Sequence, residues 1–180
     1  MRVEDVVIAA GVSRRTFYDH FPDKQAAFLA AYDAVVEQLL TRVLEAFEAA
    51  DGFVGQTSAC LGALIDFISS EPAFAHMCIV EVLAAGPEAV TRRNGAMAGL
   101  AALVERGADE LPKKSRPPML TAETLVGGIY EVLYSRILQG QIDDIPGLLP
   151  DLVYSALLPY VGPGPAGVEA TRLRRKRKKV

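Results

Sequence analysis

The 180-residue sequence predicts an all-α fold, a short helix-turn-helix head followed by a larger helical domain. Larger apolar residues recur at steps of three and four along nearly the whole chain, the spacing of one helix face. No segment alternates apolar and polar residues between hairpin turns. Pro, Gly and capping side chains stand between the apolar runs, where helix ends need them.

Val3 to Ala10 reads as a short helix with Val6, Val7 and Ala10 inward, and Gly11 supplies the left-handed backbone of a tight reversal. Ser13 caps a second short helix, its hydroxyl placed to accept from the amide of Arg15 or Thr16. Val12 and Phe17 occupy the two positions of a hydrophobic staple, and Phe17 and Phe21 share one face. Asp23, after Pro22, caps a long helix whose stripe is Phe28, Tyr32, Val35, Leu39, Val43 and Phe47, stopped at Asp51-Gly52.

Thr57 or Ser58 begins the next run, which ends at Glu71-Pro72. Another spans Ala73 to Ala85, and a further one opens at Pro87 and reaches about Leu111. After a loop from Pro112 to Pro118, Thr121 caps a run from Ala122 to Leu138 that Gly140 ends. The last expected helix runs from about Pro150 to Tyr160, and the Pro/Gly-rich and basic segment 162–180 is expected to be disordered.

The net charge of -3 hides a division along the chain. Residues 1–24 carry four basic and four acidic groups, residues 25–171 carry 8 basic and 18 acidic, and residues 172–180 carry seven basic and none acidic. Cys60 and Cys78 are too few for a disulfide framework or a zinc cluster, so reduced thiols in a cytoplasmic protein are expected, with no metal and no cofactor. The first residues carry Arg2, Glu4 and Asp5 rather than an apolar signal core, and Pro159, Pro163 and Pro165 interrupt the longest late uncharged stretch, so no membrane partner is expected. An enzyme is disfavoured, because no glycine-rich phosphate loop or nucleophile elbow appears and His20 and His76 are the only histidines.

The informative stretch is Val3 to Phe28. Arg14 and Arg15 stand in the first turn of the second helix, the end of a recognition helix that reaches base edges. A guanidinium pairs bidentately with guanine, Thr16 suits a thymine methyl or a phosphate, and Tyr18 and His20 can donate to phosphates. Lys24, in the first turn of the long helix, adds its charge to the exposed amides there, an arrangement suited to a phosphate.

Ala9 to Asp33, AAGVSRRTFYDHFPDKQAAFLAAYD, resembles the DNA-binding signature of the TetR family of bacterial transcriptional regulators. The resemblance implies a DNA-binding head over 1–33 and a ligand-binding and dimerisation domain over 34–161. It implies base contacts by Arg14, Arg15 and Thr16 and backbone contacts by Tyr18, His20 and Lys24. It also implies a homodimer on a double-stranded, near-palindromic operator, a repressor released by a small-molecule inducer. The family precedes this signature with a further helix, whereas Met1 stands two residues before the first helix here. The expectation is either a start upstream of Met1 or a helical ligand-binding dimer with impaired DNA binding.

Other features stay open on sequence alone. The run Arg172 to Lys179 suits phosphate contacts or a solvated tail. His76, Met77, Cys78 and Glu81 share a helix, but two-residue spacing puts His76 and Cys78 on different faces, against metal. Glu81 is a candidate for meeting a cationic inducer, or an exposed or ion-paired carboxylate. Tyr130 and Tyr134 line a pocket or merely pack, and Gly127-Gly128 suits the close approach of another helix or a ligand edge.

Overall fold

A computed structural model of the chain describes residues 3–113 and 116–177. The described residues form helices and no strand: α1 (Val3–Ala10), α2 (Arg14–His20), α3 (Lys24–Glu48), α4 (Gly52–Ser70), α5 (Pro72–Ile79), α6 (Pro87–Ala108), α7 (Thr121–Leu138), α8 (Ile145–Val161) and α9 (Pro163–Arg177). Short 3-10 turns at Glu81–Ala84 and Ile142–Asp144 lead into α6 and α8.

The head is α1, α2 and the first turns of α3. Val7 and Phe17 are buried there, Phe17 and Phe21 have ring centroids 5.6 Å apart, and Ile8 is exposed. α3 runs unbroken from the head into the larger body, so both share one rod of 25 residues, about 37 Å at the helical rise. Its first half packs against the 3-10 turn and the start of α6 through Leu29, Tyr32, Val82 and Ala89. α4 lies between α3 and α8 and supplies Phe53, Leu61, Ile65 and Ile68 to the main core, which α7 and α8 complete with Leu133, Ile137, Val153 and Leu157. By length and composition α4 is apolar enough to cross a membrane, at mean hydropathy 1.2, but in this fold it is the central helix of the bundle.

Several boundaries depart from the sequence expectation. α4 opens at Gly52, whose positive φ of 67° turns the chain straight from α3 into α4 rather than into a loop reaching Thr57. The Ala73–Ala85 run breaks after Ile79 and continues as the 3-10 turn. Thr121 is the first residue of α7 rather than its cap. α8 begins at Ile145, five residues before Pro150, because Pro146 lies in its first turn, where a missing N–H costs nothing.

The segment expected to be disordered is helical over Pro163–Arg177, with Lys178 and Lys179 outside the described residues. Gly162, at φ 76°, ends α8, and Pro163 and Pro165 fall in the first turn of α9, where prolines are tolerated. α9 then folds back along α8, burying Ala166 and Ala170 completely. Buried Glu169 accepts 2.7 Å and 2.6 Å bonds from the Nε and Nη2 of Arg172 and a 2.7 Å bond from the Ser58 hydroxyl on α4. Basic composition predicts solvation, but small residues at helical spacing and one buried carboxylate decide for docking.

Candidate nucleic-acid interface and effector cavity

The turn between α1 and α2 is closed by the Schellman pattern. The Val12 amide donates to the Val7 carbonyl at 3.0 Å and the Gly11 amide to the Ile8 carbonyl at 3.2 Å, with Gly11 at φ 66°. A side chain at that φ is strained, so glycine is the residue that lets α2 leave α1 in three residues. Ser13 then caps α2, accepting from the Thr16 amide at 3.0 Å, and its hydroxyl lies 2.9 Å from that of Thr16. Asp23 caps α3 in the same way, accepting from the Ala26 amide at 2.8 Å. Both caps leave further first-turn amides facing outward, the donors that bind phosphate oxygens.

On α2 only Phe17 is buried, and Arg14, Arg15, Thr16, Tyr18, Asp19 and His20 are all exposed. At 3.6 residues per turn, Arg15, Thr16 and Asp19 point most directly away from the buried Phe17–Phe21 edge. Arg14 and Tyr18 flank that face on one side and His20 on the other. Arg14 is turned inward, its Nη2 donating to the Glu4 carboxylate of α1 at 2.8 Å. Tyr18 stands edge-on to Phe17, with ring centroids 5.3 Å apart, and Lys24 is exposed at the first position of α3. The fold thus gathers all six expected residues around one end of the molecule. It adds exposed Asp19, which the sequence reading counted only as one of the acidic groups of residues 1–24.

Residues 1–31 match the family model of bacterial regulatory proteins, tetR family. Residues 1–31 thus carry a TetR-type DNA-binding head. The match covers the head and accounts for its helix-turn-helix, while the body behind it lies outside the matched residues. No curated protein and no solved structure significantly matches the chain.

Behind the head, the body of the chain holds a cavity of about 150 Å³ between α3, α4, α6 and α7. Its lining is almost wholly apolar, and among the described residues Arg93 is its sole charged side chain. The Arg93 guanidinium lies 3.9 Å from the ring centroid of Tyr130, whose hydroxyl donates to the Ile79 carbonyl at 2.6 Å. Burial pushes the Cys60 thiol up to about 11 and the Cys78 thiol up to about 12, so both cysteines in the lining are neutral. The Cys60 thiol reaches the Val43 carbonyl at 3.6 Å.

Tyr130 lines the cavity, while Tyr134 stacks behind it at 6.5 Å and lies outside the lining. Glu81, a sequence candidate for meeting a cationic inducer, is exposed outside the cavity with a carboxylate oxygen 3.4 Å from Nδ1 of His76. The charge the cavity does contain is positive. Gly127 and Gly128 have no other part of the chain within 4 Å of the space a Cβ would fill.

Arg93 and Gln56 escaped sequence reasoning, although both sit in helical register with apolar stripes. Arg93 falls in line with Ala89, Met97 and Leu100, and Gln56 with Phe53, Cys60 and Leu64. A polar residue on an otherwise apolar face was the signal available.

Proposed function

We propose that this chain is a ligand-responsive repressor, a cytoplasmic homodimer that holds two heads on a near-palindromic operator. It works as a binding protein, with no enzymatic step and no cofactor or membrane partner. The reading rests above all on α2, where every residue except Phe17 is exposed behind a capped, glycine-closed turn. Arg15 and Thr16, with Arg14 once released from Glu4, reach base edges, while Tyr18, His20 and Lys24 hold phosphates. Two such heads read successive major grooves about 34–36 Å apart.

The dimer reading draws support from exposed apolar residues on the last body helices, Val132 and Leu138 on α7 and Leu158 on α8, and from the open Gly127-Gly128 surface. Arg92, next to Arg93 of the cavity, forms an ion pair with Asp33 on α3, the helix that carries the head. A ligand that binds one setting of α6 against α3 better than another shifts the spacing of the heads by that difference in affinity alone.

Gel-shift titration at fixed salt tests the DNA-binding part. Arg15→Ala is expected to cost about 1–3 kcal/mol on the preferred operator and to relax specificity at one position of each half-site. Lys24→Ala is expected to weaken all sequences alike and to flatten the salt dependence. Unchanged specificity in Arg15→Ala would remove α2 as the reading element.

A further inference from the structure

The two ends of the cavity carry opposite unmet needs. At one end the Nε of Arg93 is buried with no acceptor, and among the described residues Arg93 forms no ion pair. Its neighbour Arg92 pairs with both Asp33 and Glu88. The Arg93 guanidinium is held in place, since its Nη1 donates to Asn94 Oδ1 at 2.9 Å and its plane lies over Tyr130. A half-buried guanidinium whose buried Nε has no acceptor calls for an anionic one.

At the other end stands Gln56, 7% exposed. Its Nε2 donates to Glu110 at 3.2 Å, which fixes the amide orientation and leaves Oε1 buried without a donor. That oxygen lies 2.9 Å from where a Cβ on Gly107 would sit. Arg93 and Gly107 lie on the same helix, roughly 21 Å apart at 1.5 Å per residue. The wall between them is apolar, with Leu39, Met97, Leu100 and Leu125 in the lining. An apolar wall of that length between two polar ends suits a flexible hydrocarbon chain.

We infer that the cavity takes a long-chain aliphatic carboxylate, its acid group on Arg93 and its chain directed toward Gln56, with a terminal hydroxyl favoured there. This rests on the ligand-responsive reading above and names the class of effector.

The test uses the full chain and three probes kept below micelle-forming concentrations: dodecanoate, 1-dodecanol and dodecylammonium. Calorimetric titration is expected to show dodecanoate binding about tenfold or more tighter than the alcohol, and no binding of the ammonium. Arg93→Met should retain the alcohol and lose the preference for the acid. Wild-type chain should prefer 16-hydroxyhexadecanoate to hexadecanoate, and Gln56→Leu should not. Equal affinity for acid and alcohol, or no binding of either, in the wild-type chain overturns the proposal without any variant. The same acid added to a gel shift separates the two claims. Binding without release of DNA leaves the effector class standing and counts against ligand-controlled DNA binding instead.

Discussion

Glu4 on α1 holds the guanidinium of Arg14 on α2 at 2.8 Å, so one expected base-contacting residue is tied to its own head. Both side chains are about half exposed or more, so the pair adds little to stability, at most about 1 kcal/mol. Its consequence is for DNA. Glu4→Gln frees Arg14 and removes one negative charge from the head, so affinity is expected to rise several-fold, with a steeper salt dependence. Gel-shift titration across salt concentrations measures both. A fall in affinity would mean that Glu4 positions Arg14 rather than restrains it.

The Ser58–Glu169–Arg172 cluster makes α9 sensitive to acid. The bonds from Arg172, together with that from Ser58, hold the Glu169 carboxyl below its ordinary value of 4.5. A carboxylate whose folded value is depressed adds stability above its unfolded value, and loses it as pH falls through the folded one. α9 docking is therefore expected to be independent of pH near neutrality, where Glu169 is fully ionised, and to weaken below about pH 4.5. Hydrogen exchange of α9 amides against pH follows this, and Glu169→Gln should expose them at neutral pH as well.

Cys60 and Cys78 should be slow nucleophiles. With ordinary values near 9.0 pushed up to about 11 and 12, each holds about a hundredfold to a thousandfold less thiolate at neutral pH than an unperturbed thiol. Alkylation followed by mass spectrometry is expected to label both at least a hundredfold more slowly in the folded chain than in denaturant. Rapid labelling of either would show that its thiol is not held in an apolar wall.

Gly107 on α6 tests how closely the Gln56 end of the cavity is packed. A Cβ there meets Gln56 Oε1 at 2.9 Å and the rings of Phe47 and Phe53 at 3.3 Å. Gly107→Ala gains helix propensity of up to about 1 kcal/mol, yet overpacking costs about 1–3 kcal/mol. A net loss in the denaturant midpoint is expected, with α6 still helical by circular dichroism. A gain would mean that Gln56 swings away freely and that its fixed amide is not part of the wall.

The head was largely legible in the sequence because its determinants are local. Ser13 and Asp23 cap the helices they precede, Gly11 takes the positive φ its turn requires, and Phe17 and Phe21 share the one inward edge of α2. Each of those relations spans only a few residues, so spacing alone exposes it. The same locality explains why the order of the helices from α1 to α8 followed from periodicity, while the ends near Gly52 and Pro146 shifted with the packing around them and the helix from Pro163 was not foreseen.

The amino-acid sequence by itself determined an all-helical chain with an exposed, arginine-bearing second helix behind a capped turn. Only the tertiary structure decided the rest. It paired Arg14 with Glu4 ten residues away, closed Glu169 onto Ser58 across 111 residues, and turned the tail expected to be disordered into a docked helix. It also brought Arg93 and Gln56, from different helices, to opposite ends of one apolar cavity. Periodicity reports which side of a helix is inward, but which charges are matched inside depends on what the neighbouring helices bring to the same space.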